Sequence, residues 1–117
     1  MINEQRSISF ICLANYCRSP VAEVLLQNKF KNSLIVDSAG INPIVSAGMD
    51  LRSVNYLNEN QCSYEIHNPK RINKGFLNSS DIIFAMDTKV LMYLNKNYKN
   101  YLNKFKLFTY QHRNCLL

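Results

Sequence analysis

Between the apolar run Ile8-Ser9-Phe10-Ile11 and the helix-spaced Val21, Val24 and Leu25 stand nine residues, Cys12-Leu13-Ala14-Asn15-Tyr16-Cys17-Arg18-Ser19-Pro20. This order constrains the fold more than any other feature. A strand apolar enough to lie inside a parallel sheet has to end, turn within a short loop and enter a helix at once. Ser19 reads as an N-cap and Pro20 as the first helical residue. The five residues between Cys12 and Arg18 suffice to curl the backbone so that its N–H groups point inward as an anion nest. The nest then opens onto a helix N-terminus, whose partial positive charge favours a phosphate dianion. The same field, with Arg18, favours Cys12 as thiolate, the reactive form. Arg18 offers a planar fork to two phosphate oxygens, which lysine cannot reproduce. A cysteine, an arginine and a hydroxyl so arranged suit nucleophilic attack on a phosphate monoester.

Blander readings fit these residues less well. A lone cysteine at a strand end is ordinarily a small core hydrophobe, but the Arg-Ser-Pro and helix that follow in order argue against that here. Cys12 and Cys17 are spaced as zinc ligands sometimes are, yet Cys62, His67, His112 and Cys115 supply no second paired spacing. Four cysteines without a regular framework suit a reducing compartment, so a cytoplasmic location is expected. No signal-peptide pattern opens the chain and no apolar run reaches membrane-spanning length, so no membrane partner is expected. The net charge of +6, and the basic and aromatic residues interleaved from Lys96 to Lys106, invite a nucleic-acid reading. Such a run reads better as a solvated helix face and the connection after it, and a positive surface steers any anionic substrate; no nucleic-acid partner is expected.

Along the chain, strand-like and helix-like segments alternate. Ile8 to Cys12 reads as a first strand and Pro20 to Phe30 as a helix. Leu34-Ile35-Val36 is a second strand, closed by Asp37-Ser38-Ala39-Gly40. Asp50 caps a helix carrying Leu51, Val54 and Leu57, and Ile72 to Leu77 reads as a short helix. Asp81 to Met86 is a third strand, Asp87-Thr88 caps the next helix with Val90, Leu91 and Leu94, and Phe105 to Tyr110 is a fourth strand. Residues 1–117 are expected to form one domain of α/β class, a three-layer α/β/α arrangement around a central four-stranded parallel sheet. Its chemistry belongs at the carboxyl ends of the strands, with the phosphate loop between the first strand and first helix.

These residues resemble the low-molecular-weight protein tyrosine phosphatases, whose phosphate loop reads Cys-x-Gly-Asn-x-Cys-Arg-Ser-Pro near the N-terminus. Cys12, Asn15, Cys17, Arg18, Ser19 and Pro20 stand in matching places, followed by Ala22-Glu23. The likeness continues through Asp37-Ser38-Ala39-Gly40, Gly48, Asp50-x-Arg52, His67, Asp81-Ile82-Ile83 and Met86-Asp87, and covers nearly the whole chain. It implies that Cys12 is the nucleophile of a phosphocysteine intermediate and that Arg18 clamps the phosphate and its transition state. Ser19 then donates its hydroxyl to the Cys12 sulfur. Asn15 holds the loop in a left-handed conformation, with Ser38 and His67 as the partners that fix it, although His67 also reads as an ordinary surface histidine. Leu13, Ala14, Tyr16 and Cys17 complete the phosphate-binding loop, and Cys17 is the cysteine that can trap oxidised Cys12 as a disulfide. The resemblance implies no metal and no organic cofactor. The implied partners are a phosphorylated protein or small phosphomonoester as substrate, with inorganic phosphate or another oxyanion in the loop.

Two departures stand out. Ala14 replaces the usual loop glycine, which would strain the loop by about 1 kcal/mol if that position needs positive φ. The family also carries its general acid in an Asp-Pro-aromatic segment after the fourth strand, followed by a long final helix; the 117 residues contain no Asp-Pro and none are left for that helix. General acid catalysis is typically worth ~10²–10⁴-fold, so weakened hydrolysis and a partly uncovered sheet face are expected. Asp87 and, in the tail, His112 are the candidate substitutes, with a helix N-cap as the other reading of Asp87. Beside a weakened phosphatase stand a catalytically impaired phosphate- or phosphoprotein-binding pseudophosphatase and an arsenate reductase. The last lacks relay cysteines beyond the third strand, only Cys62 and Cys115 remaining. Leu13, Tyr16 and either Ile44 or Val45 are expected to wall the site. The bulky Tyr16 argues against the branch that prefers phosphoarginine.

Overall fold

The computed structural model describes residues 5–44 and 48–108. Within them four strands, β1 (Arg6–Cys12), β2 (Leu34–Gly40), β3 (Ile82–Ala85) and β4 (Phe105–Leu107), form one parallel sheet in the order β2-β1-β3-β4. The helices are α1 (Arg18–Phe30), α2 (Leu51–Glu59), α3 (Lys74–Ser79) and α4 (Thr88–Asn97), with short 3₁₀ turns at Lys31–Ser33 and Lys99–Lys104.

Side-chain alternation along β1 decides the layering. Phe10 and Cys12 turn to one face, where they pack with Val36, Met86 and Ala22 of α1. Ile11 turns to the other and joins Ala39, Ile83 and Ala85 against Phe76 and Leu77 of α3 and Val90 and Leu94 of α4. Period-two alternation in a strand thus distributes one apolar run between two cores. A third cluster joins Val21 and Val24 of α1 to Leu57 of α2. The rings of Phe10, Phe84 and Phe108 lie 5.5–5.6 Å apart, stacked or edge-on, as aromatic quadrupoles favour. No helix among the described residues is long and apolar enough to cross a membrane.

The sheet is the four-stranded parallel one expected, but several boundaries differ. The first helix starts at Arg18 with Cys17 as N-cap, and no side chain caps it. Ser19 lies inside the helix because its hydroxyl is engaged elsewhere, as described below. The third helix begins at Lys74, capped by Asn73, whose side chain accepts from the Phe76 amide. Ile72 instead extends alongside β2, its amide donating to Gly40 O. The fourth strand is described as Phe105–Leu107; Thr109 and Tyr110 lie outside the described residues. Asp50 and Asp87 cap α2 and α4 as their sequence positions predict, accepting from the amides of Arg52 and Val90.

Because β2 and β3 flank β1 on opposite sides, the strand order reverses at the carboxyl end of β1. That is where α/β sheets open a crevice, and the Cys12–Arg18 loop occupies it.

Candidate active site

The loop is shaped by where its carbonyls go. Cys12 O accepts from Ile41 N at 3.1 Å, Leu13 O from Asn42 N at 2.7 Å, Ala14 O from Ile44 N at 3.2 Å and Tyr16 O from Asp50 N at 2.9 Å. Asn15 O accepts from His67 Nε2 at 2.6 Å. With successive carbonyls held outward by surrounding segments, the planar peptides aim the N–H groups that follow them inward. One of these, Asn15 N, donates to Cys12 Sγ at 3.2 Å.

Asn15 is the hub. Its φ is 50°, a left-handed value that asparagine accepts more readily than most residues, and its side chain is fully buried. Its Oδ1 accepts from the Lys70 amide at 2.9 Å, so the amide orientation is set. Its Nδ2 then donates both hydrogens, to Ser19 Oγ and to Ser38 Oγ, each at 2.9 Å. Ser19 therefore accepts from Asn15 and has its own hydrogen free for Cys12 Sγ at 2.9 Å. This double engagement takes the hydroxyl away from any capping role. Ala14 has no positive φ, so its methyl group adds no backbone strain there.

His67 must carry hydrogen on Nε2 to donate to the Asn15 carbonyl. Burial lowers its pKa, helped by the charge of Lys70 and opposed by the Asn15 hydrogen bond and by Asp37. The neutral ring is thereby favoured, with this tautomer imposed by its acceptor.

Arg18 reaches across the loop to Asp87, Nη1 lying 2.6 Å from Oδ2. Burial pushes the Asp87 carboxyl up, but hydrogen bonds from the Val90 amide and Arg18, with the guanidinium charge, outweigh it and leave the pKa below the ordinary value. A carboxylate held ionised by its neighbours is poorly suited to donate a proton. Its geometry is that of a partner for Arg18 and a cap for α4. His112, Cys115 and Val45 lie outside the described residues. Leu13 and Ile44 are exposed apolar side chains, and Tyr16 is half-buried.

Several contributors had no role assigned from the sequence, although Gly40 and Glu23 stand in stretches that carry the resemblance. Gly40 faces the loop so closely that a Cβ there would lie 2.8 Å from Asn15 N and 2.9 Å from Leu13 O. Ser53 of α2 is buried and donates to Cys17 Sγ at 3.2 Å. Glu23 Oε1 accepts from Ser38 Oγ at 2.5 Å. A cleft of about 630 Å³ lies beside this second group, lined in part by Glu23, Ser38, Tyr64 and His67.

Comparison with known proteins agrees with this geometry. Residues 7–114 match the sequence profile of the family described as low molecular weight phosphotyrosine protein phosphatase. The low molecular weight protein-tyrosine-phosphatase Wzb of Escherichia coli K12 is 31% identical over 109 residues, covering 93% of this chain and 74% of the relative. Wzb of Salmonella typhi is 34% identical over 82 residues, covering 70% of this chain and 54% of the relative. Among solved structures, a low molecular weight protein tyrosine phosphatase from Streptococcus pyogenes superposes with a TM-score of 0.84 at 24% identity, over 90% of this chain and 73% of that one. The chain is a cysteine phosphatase by descent as well as by loop geometry: it belongs to the low-molecular-weight phosphotyrosine protein phosphatase family.

Proposed function

We propose that residues 1–117 act as one catalytic unit that hydrolyses aryl phosphomonoesters, phosphotyrosine in a protein being the fitting substrate class, through a phosphocysteine. Cys12 Sγ attacks phosphorus as the phosphorus–oxygen bond to the phenol breaks, and the phenolate leaves with the electron pair. Water then attacks phosphorus, the phosphorus–sulfur bond breaks, and thiolate and inorganic phosphate are released. Arg18 and the inward amides take up the charge that develops on the phosphoryl oxygens. Ser19 donates to the sulfur, which favours its departure in the second step. A reducing cytoplasm suits Cys12, Cys17 and Cys62, none of which is in a disulfide.

The observation that carries this reading is the meeting of two donors, Ser19 Oγ at 2.9 Å and Asn15 N at 3.2 Å, on one sulfur at the base of the loop. Both stabilise a thiolate and neither helps a merely packed cysteine. The 117 residues hold no Asp-Pro, and Asp87 is tied to Arg18. A phenolate that leaves without a proton does so at a loss of ~10²–10⁴-fold when it is a poor leaving group.

The test is rapid-mixing hydrolysis of p-nitrophenyl phosphate beside Cys12→Ser. A burst of about one equivalent of nitrophenol per chain, absent in the serine variant, is expected from the covalent intermediate. Phenyl phosphate, with its poorer leaving group, should react at least ~10²-fold more slowly. A folded protein that binds vanadate yet releases no nitrophenol would instead be a phosphate-binding relative without turnover.

A further inference from the structure

Hydrogen-bond accounting around Asn15 extends one residue beyond the loop. Both hydrogens of Asn15 Nδ2 are given away, one of them to Ser38 Oγ. Ser38 thus accepts from Asn15, and its own hydrogen goes to Glu23 Oε1 at 2.5 Å. The other carboxyl oxygen of Glu23 faces Gln27 Nε2 at 3.4 Å, an amide nitrogen that also donates to Val36 O at 3.1 Å. Each oxygen of Glu23 therefore meets a donor, and only the carboxylate, which accepts and cannot donate, satisfies every hydrogen in the chain.

We propose that Glu23 is a positioning residue for the nucleophile: its carboxylate takes the Ser38 hydrogen and so fixes the hydroxyl against which Asn15, oriented by the Lys70 amide, is held, in the sequence Glu23–Ser38–Asn15–Ser19–Cys12 that leaves Ser19's hydrogen on the sulfur. This rests on Cys12 being the nucleophile. Ser19 and Asn15 touch the sulfur; Glu23 acts only through them.

The surroundings make this anchor sensitive to pH. Glu23 projects from α1 toward Asp37 and Ser38 of β2, and the segment before α3 presents Lys70, His67, Glu65 and Tyr64 to the same cleft. Burial pushes its pKa up to about 7, with Asp37 in the same direction. The hydrogen bonds from Ser38 and Gln27 and the charge of Lys70 act against this shift. The cleft gives protons a path to it. When Glu23 takes up a proton, an O–H replaces an acceptor opposite Ser38 or Gln27. Ser38's own hydrogen then loses its acceptor, the hydroxyl on which Asn15 Nδ2 rests shifts, and Ser19's hold on the sulfur loosens.

Alkylation of Cys12 by iodoacetamide, followed across about pH 5 to 9 by mass spectrometry of the labelled peptide, reads the sulfur without needing turnover. In the parent protein the rate should show a step near neutral pH, slower by about threefold on the acid side, besides the ionisation of the thiol itself. Glu23→Gln removes the titrating group and should abolish the step. Ser38→Ala leaves Glu23 to titrate but cuts its link to Asn15, and should abolish it too, whichever variant folds better. A step that persists in either folded variant, or is missing from the parent, overturns the proposal. Should the nitrophenol burst survive Cys12→Ser, the nucleophile assignment fails instead, so the two failures are distinguishable.

Discussion

At the scale of single residues, the site depends on close backbone approach as much as on chemistry. Gly40 has an ordinary negative φ; what it supplies is space. A methyl group there meets loop backbone atoms at 2.8, 2.9 and 3.0 Å, and backbone cannot rotate aside as a side chain can. Gly40→Ala should therefore displace the Leu13–Asn15 peptides from the positions that shape the anion nest. Overpacking of this kind costs about 1–3 kcal/mol, which a denaturant titration would measure. The amide of Asn15 sits at the point of contact, so kcat/KM should fall by about tenfold or more, as a displacement near 1 Å at a reacting centre can cost ~10²-fold. An unchanged burst amplitude and rate would show that the loop tolerates the shift.

At the scale of elements, α4 is coupled to the loop through one side chain with two duties. Asp87 caps the helix through Val90 N at 2.8 Å and pairs with Arg18 at 2.6 Å. Asparagine caps as well as aspartate, so Asp87→Asn separates these duties. Its stability should stay within about 0.5 kcal/mol of the parent, whereas Asp87→Ala should lose about 1 kcal/mol through the cap. Both remove a negative charge from beside Arg18, and inorganic phosphate should inhibit about fivefold more tightly in each at low salt, the advantage shrinking as salt rises. Phosphate inhibition constants, measured with p-nitrophenyl phosphate, test this. Equal inhibition in parent and variants would mean that the pair does not limit Arg18. On the other flank α2 reaches the loop through Asp50 N to Tyr16 O and Ser53 Oγ to Cys17 Sγ, so the loop is held between two helices that belong to different layers of the fold.

For the molecule as a whole, Glu23 sets site organisation against stability. Its pKa rises from 4.5 to about 7 on folding, so in that interval the folded protein keeps a proton that the unfolded chain has released. The contribution from this proton is fully present below the unfolded value and is lost as pH rises through about 7. Linkage puts it at about 3 kcal/mol. Urea unfolding of parent and Glu23→Gln at about pH 5 and pH 8 should show the parent losing about 2 kcal/mol more than the variant between the two. Parallel pH dependence in the two proteins would mean that the carboxyl does not titrate in this range. The ionised form that costs this stability is the one in which every hydrogen around Asn15 finds an acceptor.

Local physics alone determined the strand, loop and helix around Cys12, the alternation that makes a parallel sheet, and the caps at Asp50 and Asp87. In each, the residues that interact are neighbours in the chain, so spacing and residue type suffice. Cys12 and Arg18 were legible for the same reason, since the loop that joins them spans few residues, whereas the roles of Asn15 and of the Ser19 hydroxyl came only with the family resemblance. The tertiary structure decided everything that crosses the chain. Arg18 and Asp87 are 69 positions apart, and the Asn15 partners His67, to which only the family resemblance pointed, and Lys70, to which nothing did, lie 52 and 55 positions away. Lys70 contributes a backbone amide, which no residue type announces. Ser19 shows the limit even within the loop: its sequence position suits an N-cap, but a buried hydroxyl takes the partners that packing brings, and here these are a sulfur and an amide already committed at its other end.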